Sequence, residues 1–339
     1  MRQVLLEKPL TIRSYETPLP EVEPNWVIAK TLCAGICGTD VHSFFGETIF
    51  GKVFPFHIGH EICAVVEESG GKALRKGDII VINPFFSCGV CTQCRMGMDN
   101  NCQRRTTIGL KGPGGFSEYV YVPEASAVRV HSDNFAAMSL AEPLSTVIYG
   151  WEKLNVSPMK SVLINGVGPI GLMFLQLAFH AGVRQLTVTD LNHEKLKTAQ
   201  AAGADFALNP TDAKDAAQLR TLSDAGFDII IDCTGSIQSM QACVDGITFG
   251  TQILLFGLCP PSAMMEISPF KLYKEDVSIF TSFALNKSAF CKAVALLENG
   301  KINTDMLIDA VLPLSDLEAS IRKIAAGAVN GKIIIDTTR

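Results

Sequence analysis

The chain has 339 residues, 47% of them hydrophobic and 19% charged, with 29 basic and 34 acidic side chains and a net charge of −5. That length implies about two domains and a core that needs no disulfide staples, and the composition excludes a disordered chain. An acidic balance without a basic tract argues against nucleic-acid binding as the main task. The odd count of 11 cysteines cannot be fully paired internally and is too low for a disulfide scaffold.

The opening residues, MRQVLLEKPL, carry an acid at Glu7 and no long apolar run, so no secretory signal is expected. The expected compartment is the cytoplasm, where thiols stay reduced and metal binding or catalysis outranks disulfide formation. Up to about residue 145, short β-type runs alternate with Gly and Pro. Trp26–Ala34, Ile62–Glu67, Asp78–Ile82 and Phe116–Val122 predict an antiparallel, barrel-like β domain. Between Lys160 and Arg184, 23 residues lack Asp, Glu, Lys and Arg, a length that could span a bilayer. The Gly and Pro density there, with Gln176 and His180, instead favours a strand, a turn and a buried helix, and no membrane association is expected. From Ser161 the rhythm becomes strand and helix in alternation. Val162–Asn165, Gln185–Thr189, Asp228–Asp232 and Ile253–Phe256 read as strands, with helices such as Glu194–Ala202 and Ile237–Phe249 between them. That order implies a doubly wound parallel sheet. A strand at Val277–Phe283, helical stretches at Lys287–Glu298 and Leu314–Ala326, and a strand at Lys332–Asp336 complete the chain.

Three groups of residues carry chemistry. Cys88, Cys91, Cys94 and Cys102 have the spacing C-x2-C-x2-C-x7-C, which lets four thiolates wrap one tetrahedral zinc with no open position, a structural site. A zinc ribbon for nucleic acid is the competing reading, but Arg95, Arg104 and Arg105 are the lobe's only cations. Gly166-x-Gly168-Pro169-Ile170-Gly171 follows a strand and opens a helix, the pattern that brings backbone and helix N-terminus against a dinucleotide pyrophosphate. Asp190 ends the next strand, where a carboxylate accepts from ribose hydroxyls and repels a 2′-phosphate, so NAD is expected over NADP; a helix cap at Asp190 is the plainer alternative. The third group is scattered: Cys37, Thr39, Asp40 and His42, then His60 and Glu61, then Glu142. It offers a thiolate, an imidazole and carboxylates, a donor set suited to a zinc with a vacant position. Read singly, His60 could be an ordinary core histidine and Glu142-Pro143 a helix start.

CGTDVH, GHE, the four-cysteine lobe, GGFSEY, EPLST, GVGPIG and the later Asp190 occur in an order that resembles the zinc-dependent medium-chain dehydrogenases over essentially the whole chain, in the polyol (sorbitol), sugar-acid and threonine dehydrogenase branch. The resemblance implies an α/β architecture, with a GroES-like β-rich catalytic domain at 1–147 and 284–339 and a Rossmann NAD-binding domain at 148–283. It implies an enzyme that binds NAD and two zinc ions per chain and reversibly oxidises a secondary alcohol of a small polyol or sugar-derived substrate to a ketone by hydride transfer. Cys37, His60, Glu61 and Glu142 match residues around the catalytic zinc, with glutamate at 142 where simple alcohol dehydrogenases carry cysteine. Thr39 and His42 match the proton relay, Asp40 the acceptor that orients a ligand histidine, and Thr146 the residue behind the nicotinamide. A homodimer or homotetramer is implied too, and the strands Thr251–Phe256 and Val277–Phe283 are candidate edges for pairing between copies.

Two departures stand out. Ala64 replaces the last glycine of GHE-x-x-G, and Thr281–Asn286 lacks the arginine that sorbitol-type and several sugar-acid enzymes place there. Threonine-type amino-alcohol oxidation, and a non-catalytic NAD-binding zinc protein, remain as alternatives. Most of Phe44, Phe45, Phe50, Phe54, Phe56, Phe85 and Phe86 are expected in the core, and Lys52, near Glu47, is a candidate cation for a substrate phosphate or carboxylate. Cys33, Cys63, Cys233, Cys243, Cys259 and Cys291 are expected to pack as small buried hydrophobes.

Overall fold

Residues Met1–Thr146 and Ala284–Arg339 form one compact unit and Val147–Phe283 another. The structure, a computed structural model, describes residues 1–47, 53–110 and 112–339. Phe50 and Lys52 lie outside the described residues.

The first unit is built on a seven-stranded sheet. Its order is Ile308–Pro313, Lys332–Asp336, Trp26–Gly35, Glu61–Ser69, Ile79–Ile82, Ala127–Val130, with Tyr119–Pro123 also paired to Trp26–Gly35. β-Branched residues dominate these strands, as a pleated, half-buried surface requires. The sheet is not wholly antiparallel, as the turn-rich sequence suggests: Ile308–Pro313 runs parallel to Lys332–Asp336. The helix Leu317–Ala325 supplies the crossover that a parallel pair needs. Val27, Ala29, Ile62, Ala64, Ile80 and Val120 form one core cluster. Leu6, Phe44, Phe56, Phe116, Ile321 and Ile335 belong to a second. Phe86 is buried as expected, but Phe45 is exposed, on the residue that ends the helix Gly38–Phe44.

The second unit carries a six-stranded, all-parallel sheet in the order Phe206–Leu208, Gln185–Thr189, Ser161–Asn165, Ile229–Asp232, Gln252–Leu255, Ser278–Thr281. Numbered along the chain this is 3-2-1-4-5-6, the dinucleotide-binding order with its switch point beside the first strand. All five residues of Ser161–Asn165 are buried, and the apolar run after it is the helix Pro169–His180. No helix among the described residues is long and apolar enough to cross a membrane.

Three of the six cysteines assigned to packing, Cys33, Cys63 and Cys243, are buried. Cys233 and Cys259 are partly exposed and Cys291 is exposed. Cys291 lies on the helix Lys287–Glu298, whose buried positions are Ala289, Phe290, Ala293, Val294 and Leu297. An apolar neighbourhood in sequence does not decide which side of a helix a residue occupies.

Candidate active site

The Trp26–Gly35 and Glu61–Ser69 strands pair antiparallel with Gly35 opposite Glu61. A Cβ at position 35 would stand 2.0 Å from Glu61 Oε2, so glycine is what leaves room for that carboxylate. Two residues after Gly35, Cys37 opens the helix Gly38–Phe44, and the Asp40 carboxylate fastens this start: Oδ2 accepts from Cys37 N–H at 3.0 Å and Oδ1 from Gly59 N–H at 3.1 Å. Asp40 thus ties Cys37 to the residue preceding His60, whose Nδ1 stands 3.8 Å from Oδ1.

The ligand atoms of Cys37, His60 and Glu61 lie within 4.8 Å of one another. Glu61 Oε1 accepts from Lys332 Nζ at 2.6 Å, and both side chains are almost wholly buried. Glu61 Oε2 is buried with no hydrogen-bond partner among the described residues. A buried carboxylate oxygen without a partner is costly unless something cationic meets it. Beside a thiol and an imidazole, the donor set fits zinc held by three protein ligands with a fourth position open.

Glu142 lies outside that three-residue group, in the first turn of the helix Ala141–Trp151. It is buried, and burial pushes its carboxyl up to about 7, with Glu61 and Asp40 adding to the rise and His60 and Lys332 opposing it. Burial alone would lower the pKa of His60, but the charges of Cys37 and Asp40, a hydrogen bond with Cys37 and the charge of Glu142 outweigh it and lift His60 to about 10. Lys332 and Gly35 were not visible as site features in the sequence. The signal for Lys332 was a lone cation heading a run of three isoleucines in the strand KIIID.

Thr39 Oγ1 lies 3.7 Å from Cys37 Sγ. His42 Nδ1 is 2.6 Å from Glu47 Oε2, with both side chains largely exposed. A carboxylate only accepts, so Nδ1 donates in this pair and the ring is held in one orientation. Thr146 Oγ1 donates to Pro143 O at 2.7 Å.

The four sulfurs of Cys88, Cys91, Cys94 and Cys102 also lie within 4.8 Å of one another. Backbone N–H groups of Val90 and Cys91 hold the Cys88 thiol down to about 6, and those of Cys94 and Gln103 lower Cys91. Desolvation and its neighbouring thiols push Cys94 up to about 12, and four clustered sulfurs, closed on all sides, suit a structural zinc. The lobe is fastened to the start of the helix Lys287–Glu298, where Asp99 Oδ1 accepts from Lys287 N–H at 3.2 Å and Asn286 Nδ2 donates to Gly97 O at 3.1 Å.

In the second unit, Gly166 has φ +84° and Gly168 stands at the start of the helix Pro169–His180. A Cβ at Gly171 would come within 1.9 Å of Gly166 O, whereas one at Gly168 would meet nothing within 4 Å. The loop is thus tight on the protein side and open at the helix N-terminus, a cradle that fits a pyrophosphate. Asp190 is not a helix cap; Asn192 caps the helix His193–Ala201. Asp190 Oδ2 accepts from Val167 N–H at 2.9 Å, binding the carboxylate to the glycine loop. The sequence reading passed over Asp232. It is buried at the end of Ile229–Asp232 and accepts from Thr234 N–H and the Thr234 and Ser239 hydroxyls. It thereby orders the turn whose Thr234 methyl packs on Gly166.

The pattern of the family described as zinc-binding dehydrogenase matches residues 169–299, and that of the alcohol dehydrogenase GroES-like domain matches residues 23–132. An L-threonine 3-dehydrogenase of Streptomyces avermitilis is 30% identical over 330 residues, covering 95% of each chain. The chain belongs to the zinc-binding dehydrogenase family. This dehydrogenase is also 28% identical to D-arabinitol dehydrogenase 1 of Uromyces fabae, across 96% of its own length and 94% of that protein. The crystal structure of RspB from Escherichia coli CFT073, complexed with NADH, matches it with a TM-score of 0.90 at 27% identity, covering 99% of each chain. The dehydrogenase is an oxidoreductase with a GroES-like domain and a nucleotide-binding domain.

Proposed function

We propose that this dehydrogenase reversibly oxidises a secondary hydroxyl of a polyol or sugar-derived acid to a ketone, with NAD as cofactor, a catalytic zinc on Cys37, His60 and Glu61, and a structural zinc on the four-cysteine lobe. The observation that carries this reading is the buried, unpartnered Glu61 Oε2 beside Cys37 and His60. Glu142 stands close by in the same pocket, and the polyol-like branch also carries glutamate at this position. D-Arabinitol dehydrogenase among the relatives supports the substrate class.

When bound, zinc supplies the Lewis acidity that lowers the pKa of a substrate hydroxyl, and NAD supplies the hydride acceptor. The chain's own residues position the substrate and carry its proton. The Thr39 hydroxyl, taking the substrate proton as it gives up its own, and His42, held by Glu47, would carry that proton outward with the cofactor's ribose between them. The Glu142 carboxyl hydrogen-bonds the reacting hydroxyl. Thr146 borders the nicotinamide, and Gly166, Gly168, Pro169, Ile170 and Gly171 hold the pyrophosphate. All 11 cysteines are free, which suits a cytoplasmic enzyme. The open edge strand Ser278–Thr281 supports a homo-oligomer joined there.

The test is a panel of four- to six-carbon polyols, aldonates and their phosphates, with L-threonine included, read by NADH absorbance on the native chain and on Cys37→Ser. The expected result is NAD⁺ reduction with a polyol or aldonate, and two zinc ions in the native chain. Cys37→Ser should lose turnover and one zinc while still binding NADH. Turnover by Cys37→Ser at the native kcat defeats the zinc mechanism, and activity on L-threonine alone defeats the substrate class.

A further inference from the structure

Lys332 heads the Lys332–Asp336 strand, 271 residues along the chain from Glu61, and its ammonium is buried. It makes two contacts. Nζ donates to Glu61 Oε1 at 2.6 Å and to Ile36 O at 3.2 Å, the carbonyl directly before Cys37. Ile36 N–H in turn donates to Ile333 O at 3.0 Å, so the same turn is held from both sides by the C-terminal strand.

A buried ion pair is weak grounds for stability, since apolar residues of similar volume commonly do as well or better in its place. What this pair does achieve is geometric. With Oε1 engaged by the ammonium, Oε2 is the oxygen left without a hydrogen-bond partner among the described residues, on a carboxylate grouped with Cys37 and His60. A side chain at Gly35 would collide with Oε2, so the glycine leaves that oxygen its place. We propose that Lys332 is a positioning residue for the catalytic metal, fixing Glu61 as a ligand through Oε1 and fixing Cys37 through the Ile36 carbonyl. The metal pocket is therefore completed only when the C-terminal strand has docked against Trp26–Gly35.

This inference rests on the catalytic-zinc reading, and zinc retention against a graded chelator tests the two separately. The four-cysteine zinc, which Lys332 does not touch, serves as the internal reference. The expected result for Lys332→Met is loss of the catalytic zinc at a chelator concentration at least about tenfold lower than in the native chain, with the other zinc retained. Lys332→Arg keeps the cation and should restore retention to within about threefold of native. In a Glu61→Gln background the added Lys332→Met should change retention by no more than about threefold, the part that runs through the Ile36 carbonyl, because the carboxylate it positions is gone. Native-like retention in Lys332→Met, or an undiminished further loss in the Glu61→Gln background, overturns the proposal. If Lys332→Met alone does not fold, the double variant Glu61→Gln/Lys332→Met, which buries no unpaired charge, takes its place, and catalytic-zinc retention well below that of Glu61→Gln overturns the proposal. A native chain that holds only the four-cysteine zinc overturns the catalytic-zinc reading itself, and this inference with it.

Discussion

Asp190 commits one lone pair of each oxygen to the backbone: Oδ2 accepts from Val167 N–H and Oδ1 from Asn192 N–H, both at 2.9 Å. Each oxygen keeps further acceptor capacity, and the carboxylate is locked in place beside the glycine loop. Fixed negative charge at that point repels a 2′-phosphate, while a ribose hydroxyl can still donate to it. Asp190→Ala should therefore lower the ratio of kcat/KM for NAD⁺ over NADP⁺ by about tenfold or more, the value of one hydrogen bond to a charged group. Overall efficiency should fall as well, because two backbone N–H groups lose their acceptor, so the ratio is the informative quantity. Steady-state kinetics with both cofactors measures it, and an unchanged ratio removes Asp190 from cofactor selection. Single residues of this kind were readable in the sequence because their meaning is local: four cysteines within 15 residues, three glycines after a strand, an acid at the next strand's end. Lys332 was not, because its partner is 271 residues away and only the sheet register brings them together.

Among elements, the strands rich in Val and Ile were legible and the exceptions share physical causes. Phe206–Leu208 has only three residues, too short for any periodicity to show. The helix Ala213–Ala225 has no fully buried residue, so the apolar stripe that marks a helix is faint. Ile308–Pro313 lies at the edge of its sheet and ends on proline, which reads as a turn. At the start of the nucleotide-binding sheet, Asp228 joins two central strands. Its carboxylate accepts from Ser161 N–H at 2.8 Å, from the Ser161 hydroxyl at 3.0 Å and from Lys160 Nζ at 3.1 Å. Partial burial would raise its pKa, but the Ser161 N–H, Lys160 and the Ser161 hydroxyl outweigh it and hold the carboxyl below the usual aspartate range. A lowered folded-state pKa means stability that is complete above the unfolded value of about 4 and is lost as pH falls through the folded value. Asp228→Asn should then cost about 1–2 kcal/mol in urea unfolding at neutral pH. The gap to the native chain should stay level from pH 8 to pH 5 and narrow below about pH 4. A gap that widens on acidification contradicts this assignment.

At the scale of the whole molecule, the open edges of the parallel sheet are the feature that single-chain packing leaves over. The sequence suggested two strands for pairing between copies, Thr251–Phe256 and Val277–Phe283. Gln252–Leu255 is in fact bonded on both sides, to Ile229–Asp232 and to Ser278–Thr281, and is not available. Ser278–Thr281 is an edge, with one of its two hydrogen-bonding sides unpaired in the sheet. The chain leading into it carries Met264, Phe270 and Tyr273, which are 85%, 73% and 85% exposed. Large apolar side chains beside an unpaired strand are a liability in a lone chain and a means of association in a symmetric pair, where each edge bonds its copy. Phe270→Asp combined with Tyr273→Asp should shift the light-scattering mass from a multiple of the chain mass to that of one chain. Both zinc ions should be retained, because the ligands of both sites belong to the other unit. A native protein that is already monomeric, or a double variant that keeps the native mass, places the association elsewhere or removes it.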